Sequence, residues 1–127
     1  MQRRAINAPD APAPVGAYTH AIEVTGAART VYISGQVGVN ADGSTPDDLA
    51  TQCANVWHNI EAQLRAVDMT YDNVVKLVTI ITDHAHLAES RKARATAMGD
   101  RKPASTLIIA GLVSPALKIE IEVIACA

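Results

Sequence analysis

Val74 to Ile81 reads VVKLVTII, an almost unbroken run of β-branched and aliphatic residues interrupted by one lysine and one threonine. Such side chains fit a pleated strand better than a helix, and the run has strand length. It predicts a central strand buried on both faces, so the rest of the chain must supply the cover. Few aromatics are available to provide it, since Phe is absent and aromatic residues make up 3% of the 127 residues. The core must come from Val, Ile, Leu and Ala, which bury less area each than aromatic rings. A short, aliphatic chain of this kind gains further burial by oligomerising.

The elements around that strand follow from local signals. Pro9, Pro12 and Pro14 keep the start extended and non-helical, lying over the surface. Ala17 to Val24 suits a strand, Thr25 to Ala28 a turn, and Thr30 to Val37 a second strand, the two pairing as a hairpin. Asn40 to Ser44 is a loop centred on Asp42-Gly43. Thr45-Pro46-Asp47-Asp48 then opens a helix, with Thr45 as the cap and the acids where the helix dipole favours them. Leu49, Cys53, Val56, Trp57, Ile60, Leu64 and Val67 share one face of it. Met69 to Asn73 is a turn. A second helix is expected from Asp83, its cap, to Met98, stopped by Gly99-Asp100. Ala104 to Leu112 is extended, Ser114-Pro115 a turn, and Lys118 to Ala125 alternates, with Ile119, Ile121 and Val123 opposite Lys118, Glu120 and Glu122. The order β-β-α-β-α-β-β makes residues 1–127 a single α+β domain with two helices against one sheet.

Composition excludes several function classes. The formal net charge is −2, with the two signs mixed, and no basic stretch reads as a nucleic-acid footprint. No apolar run approaches the ~18 residues that span a membrane, and MQRRAINAPDAPAP has no apolar signal region. A cytoplasmic, soluble protein is expected. Cys53 and Cys126 have no metal spacing and no CxxC, so they are expected as buried small hydrophobes. His84 and His86 stand two apart, do not share a helical face and have no third ligand nearby, so no metal site is expected.

Four stretches carry a family likeness: GAYTHA (Gly16 to Ala21), VYISGQVG (Val31 to Gly38), KPAST (Lys102 to Thr106) and KIEIEVIA (Lys118 to Ala125). Together, in this order and spacing, they resemble the signature of the RidA/YjgF reactive-intermediate deaminase family. Gln52, Asn59 and Val75-Lys76 also look like family positions. The resemblance covers about Pro14 to Ala125. It implies a chorismate-mutase-like fold, a homotrimer whose sheets surround a central barrel, small-molecule clefts between neighbouring subunits, and neither metal nor organic cofactor. The implied activity is hydrolysis of reactive 2-imino or enamino acids to keto acids and ammonia.

Each implied site residue also has a reading of its own. Glu120 stands at the family's acidic position, and hydrolysis of an imine asks for a carboxylate that orients and deprotonates water; Glu122 shares its strand face, and both also suit solvated strand positions. Tyr18 offers a ring wall and one hydroxyl, or simple packing. His20 stands where the family has glutamine and can carry a proton near neutral pH. Ser34-Gly35-Gln36 resembles the family's SGQ: the serine can bond ligand or backbone, and the glycine allows close approach. In the third motif the family's deaminases carry an arginine that grips the substrate carboxylate through two parallel hydrogen bonds. Here Ser105 takes that position, or Ala104 on the alternative alignment. Arg101, Lys102, Arg91 and Arg94 are the basic residues available to replace it, and Ser90 stands near the family's pocket asparagine. Two readings remain: an imine or enamine hydrolase with a new anchor, and a non-catalytic or repurposed metabolite-binding trimer.

Overall fold

A computed structural model describes residues 1–127. Eight regular elements follow one another: β1 (Gln2–Ile6), β2 (Ala21–Thr25), β3 (Thr30–Val37), α1 (Leu49–Arg65), β4 (Val74–Ile81), α2 (Leu87–Met98), β5 (Ala104–Ile109) and β6 (Ile119–Cys126). Four strands form one sheet in the order β3-β6-β4-β5, with β4 and β5 parallel and the other pairs antiparallel. Both helices lie against one face of this sheet. Val56, Ile60 and Leu64 of α1 and Met98 of α2 close a single core with Leu77 and Ile81 of β4 and Ile119, Ile121 and Val123 of β6. The α+β architecture expected from the residues is therefore the one found. No helix is long and apolar enough to cross a membrane.

Three local expectations are corrected. The hairpin between the second and third strands does not form. β2 pairs instead with β1, Gln2 opposite Thr25 and Ile6 opposite Ala21, in a separate two-stranded ribbon. Its other anchor is Arg3, whose guanidinium donates to the carbonyls of Asp72 and of Val74 at the start of β4. The cap of α1 is Asp48, not Thr45: its Oδ2 accepts from Thr51 N at 2.9 Å and from Thr51 Oγ1 at 2.6 Å. A carboxylate at the positive end of a helix outcompetes a neutral hydroxyl. The third correction concerns β4. Val74, Leu77, Thr79 and Ile81 are buried on the helix side, whereas Lys76, Val78 and Ile80 on the other face are only half-buried in the single chain.

Gln52 is the main polar fastener of the fold. It is fully buried, its Nε2 donates to the carbonyls of Pro46 and Ala116 at 2.9 Å each, and its Oε1 accepts from Lys118 N at 2.9 Å. One side chain thus ties the loop before α1 to the loop before β6. Gly38 packs directly on it: a Cβ there would lie 2.6 Å from the Cα of Gln52, a contact only glycine avoids. Gln52→Leu fills the same volume but leaves two carbonyls and one N–H without partners. It is expected to cost about 3 kcal/mol in urea unfolding with an unchanged m-value.

Both cysteines are buried, as expected. Burial pushes the Cys53 thiol from its ordinary 9.0 up to about 11. In the unfolded chain that proton leaves first, so the folded state binds more protons across this interval and its stability falls as pH rises. Stability is expected to be unaffected by this group below pH 9 and to decline between 9.0 and about 11. Urea midpoints measured across that interval should fall less steeply in Cys53→Ala.

Candidate functional site

The four motifs form two pairs, on opposite faces of the sheet. GAYTHA meets KPAST on the helix side. Thr19 N donates to the Pro103 carbonyl at 3.3 Å, and Thr19 and Ala104 form an isolated parallel bridge at the start of β5. Asn7 orders the same turn, its Oδ1 accepting from His20 N at 2.8 Å and from the Thr19 hydroxyl at 3.2 Å. The motif is thereby held against the edge strand beside α2.

Between these elements lies a cavity of about 560 Å³. Tyr18 and His20 line it from the GAYTHA loop, Arg91, Arg94 and Ser90 from α2, Ser105 and Leu107 from β5, and Thr79 and Trp57 from the core side. Ala104 stands at its margin, bridged to Thr19. The Tyr18 and His20 rings meet edge-on with centroids 5.5 Å apart. His20 is engaged through its Nε2, which lies 2.7 Å from the Pro12 carbonyl and donates to it, so the imidazole ties down the N-terminal loop.

The basic group in this cavity is Arg94. Its Nη1 donates to the Ser105 hydroxyl at 2.9 Å, and its Nη2 donates to the Ala17 carbonyl. The guanidinium therefore sits at Ser105 on the edge strand, reached from the neighbouring helix. Its Nε is buried without a partner, and no carboxylate pairs with it among the ion pairs of the chain. Burial holds its pKa below that of a free guanidinium, yet a guanidinium remains charged at neutral pH. A desolvated cation lacking a counter-ion is costly to bury, which makes Arg94 the candidate anion-holding group of the cavity. Arg101 is spent elsewhere, its Nε on Asp72 Oδ1 at 2.7 Å and its Nη1 on the Met98 carbonyl, and neither it nor Lys102 lines the cavity.

The other two motifs meet on the open face. Between Ile33 and Gln36, β3 carries one more residue than β6 does opposite, a bulge that contains Ser34 and Gly35. Gln36 Nε2 donates to the Ser34 carbonyl at 2.9 Å within it. Gly35 lies directly over Glu120: a Cβ there would stand 2.6 Å from Glu120 Cδ and 2.9 Å from its Oε1. The close approach at this glycine is made by a carboxylate of the same chain, not by another chain. Glu120 is half-buried and Glu122, two residues on, is exposed. Within one chain Glu120, Ser34 and Gly35 thus do not share the cavity of Tyr18, His20, Ser105 and Arg94.

Trp57 was legible in the sequence only as a core residue of α1. It is buried in the core and also lines the cavity, together with Thr79 and Ser90. It also separates the cavity from a smaller depression between α1 and α2 lined by Glu61, Glu89, Lys92 and His58, which gathers none of the motifs.

Gly35→Ala is expected to displace the Glu120 carboxylate, a flexible, half-exposed group, and to change stability by no more than about 1 kcal/mol. The check is the carboxyl carbon resonance of Glu120 together with the melting temperature. An unmoved resonance would show that Gly35 does not set the carboxylate's position.

Comparison with known proteins adds to this geometry. The family model described as Endoribonuclease L-PSP matches residues 8–127. A RutC family protein of Aquifex aeolicus is 31% identical over 121 residues, 94% of each chain. A 2-iminobutanoate/2-iminopropanoate deaminase of Rattus norvegicus is 29% identical over 125 residues, covering 97% of this chain and 89% of the relative. Among solved structures, a protein of unknown function of the conserved Rid family, YyfB from Yersinia pestis, superposes over 100% of both chains with a TM-score of 0.84 at 35% identity.

Proposed function

The chain belongs to the Endoribonuclease L-PSP (RidA/YjgF) family, and on that premise we propose that it hydrolyses small 2-imino acids to 2-oxo acids and ammonia, with Arg94 holding the substrate carboxylate. The observation that carries this reading is the half-buried Arg94 guanidinium at Ser105, without a counter-ion, in a cavity walled by Tyr18. A strand arginine is replaced in space by a helix arginine, so the loss apparent at Ser105 need not remove the anion grip.

The same reading assigns Glu120 to a neighbouring subunit. The family resemblance implies a homotrimer with clefts between subunits, and two features of the single chain support it. One face of the sheet has no helix over it, and the edge strand β5 exposes Leu107 (41%) and Ile108 (45%) beside the cavity. An uncovered apolar edge favours pairing with another chain. In such an assembly the Glu120 face of one subunit closes the Arg94 cavity of the next.

The chemistry then divides between the two walls. Arg94 fixes the carboxylate and Tyr18 the plane of the imine. Glu120 takes a proton from water as its oxygen bonds to C2, and the proton passes to the nitrogen. The hydroxyl of the resulting carbinolamine then gives its proton to Glu120, which passes it to the amine as the C2–N bond breaks, releasing ammonia and the 2-oxo acid. General-base assistance of this kind contributes ~10²-fold or more.

The second reading, binding without turnover, is favoured by the separation of Glu120 from the cavity within one chain. One experiment separates them: 2-imino acids generated in place by an amino-acid oxidase, with 2-oxo acid release followed. Hydrolysis predicts acceleration that drops ~10²-fold in Glu120→Gln with the assembly intact, and ~30-fold in kcat/KM in Arg94→Gln, about 2 kcal/mol of charge-assisted binding. A rise in melting temperature with ligand and no acceleration would establish binding alone.

A further inference from the structure

The cavity holds a second cation. Arg91 precedes Arg94 by three residues on α2, and both line it. Side chains three apart share a helical face, with ~4.5 Å of axial rise between them. No aspartate or glutamate is among the lining residues. The ion pairs of the chain join Arg4 to Glu23, Arg65 to Glu61 and Arg101 to Asp72, leaving Arg91 and Arg94 without a carboxylate. The depression on the other side of Trp57 differs in this respect, since Glu61 and Glu89 there offset Lys92. A single anchor suffices for a monocarboxylate. Arg94 is half-buried and Arg91 exposed, and neither is paired with a carboxylate of its own chain, so the cavity offers an anion a second cationic group beyond the anchor.

We propose that the ligand of this cavity carries two anionic groups, one held by Arg94 and the other by Arg91, so that its substrate class is the 2-imino dicarboxylates of four or five carbons. The inference rests on the reading that the cavity binds a substrate carboxylate at Arg94. The carboxyl carbons of such extended acids lie ~4 to 5 Å apart, comparable to the ~4.5 Å rise between the two arginines along α2. Met98 and Leu107 provide apolar wall for the methylenes between them.

Trp57 makes the test direct, because it is the one tryptophan of the chain and stands in the cavity wall. Its fluorescence is titrated with 2-oxoglutarate and with 2-oxopentanoate, stable oxo acids of equal carbon number that differ in the terminal carboxylate. Ionic strength is held constant. The proteins are the wild type, Arg91→Gln, Arg94→Gln and, as a control of equal charge change outside the cavity, Arg65→Gln. 2-Oxoglutarate is expected to bind about tenfold more tightly than 2-oxopentanoate. Arg91→Gln should reduce that ratio to about twofold or less, Arg65→Gln should leave it, and Arg94→Gln should abolish binding of both acids. Equal affinities in the wild type, a ratio that survives Arg91→Gln, or one that falls equally in Arg65→Gln would overturn the dicarboxylate assignment and leave Arg94 as an anchor. Failure of both acids to bind, or binding indifferent to Arg94→Gln, would overturn the anchor and the dicarboxylate assignment together.

Discussion

The pleat of the two central strands governs where everything else lies. On β4 and β6, alternate side chains point to opposite faces: Leu77, Thr79, Ile81, Ile119, Ile121 and Val123 go under the helices, while Lys76, Val78, Ile80, Glu120, Glu122 and Ile124 go to the open side. A shift of one residue in either strand would exchange the two sets and destroy the core, so the register is strongly specified. The same alternation separates the polar groups. Ser105 lies opposite Leu77 in the β4–β5 ladder and faces the helices with it, and Glu120 lies opposite Ile80 and faces away. No rearrangement of side chains within a single chain brings the guanidinium and the carboxylate together.

The proposed role of Arg94 rests on the reach of its side chain. A guanidinium on a long, flexible stem reaches the same point from a helix or from a strand, provided the position vacated holds a short side chain. Ser105 is short and leaves a hydroxyl as acceptor for Nη1. The arrangement carries a cost in stability. Desolvating a cation without a counter-ion, with Nε left unpartnered, opposes folding. That cost is retained at the one cavity where an anion would offset it, which is how functional sites depart from the rules that govern the rest of a fold.

Much of the fold was legible because its signals are local. The face of α1 from Cys53 to Leu64, the alternation of β6 and the stop at Gly99, where φ is +57°, are each set by a few adjacent residues. What the residues concealed was relational. The hairpin failed because the turn at Gly26 brings β2 and β3 near without saying which edge is already taken, and β1, before the prolines, takes it. Thr45 and Asp48 both have capping chemistry, and the choice is settled by Gln52, which draws the Pro46 carbonyl to its own amide and keeps that segment out of the helix. Ser105 read as a hole in a motif, and the Arg94 hydrogen bond to it comes from a residue eleven positions earlier. Arg94 was visible as one of several basic residues, with nothing in its spacing to single it out; Arg101 was equally eligible until Asp72 is seen to hold it.

The open face bears on function as well as on burial. β4 has the composition of a strand covered on both sides, yet half of it is uncovered in the single chain. Beside it, β5 presents Leu107, Ile108 and Ile109 at an edge with no strand beyond it. Apolar surface so arranged is stabilised by a partner, and the residues of the proposed chemistry lie next to it: Arg94 at Ser105 behind the edge, Glu120 under Gly35 on the face. A chain with both halves in a single pocket would need no assembly to act. Here the distribution of charge and the distribution of uncovered aliphatic surface make the same demand, and the burial that completes the sheet would be the event that completes the site.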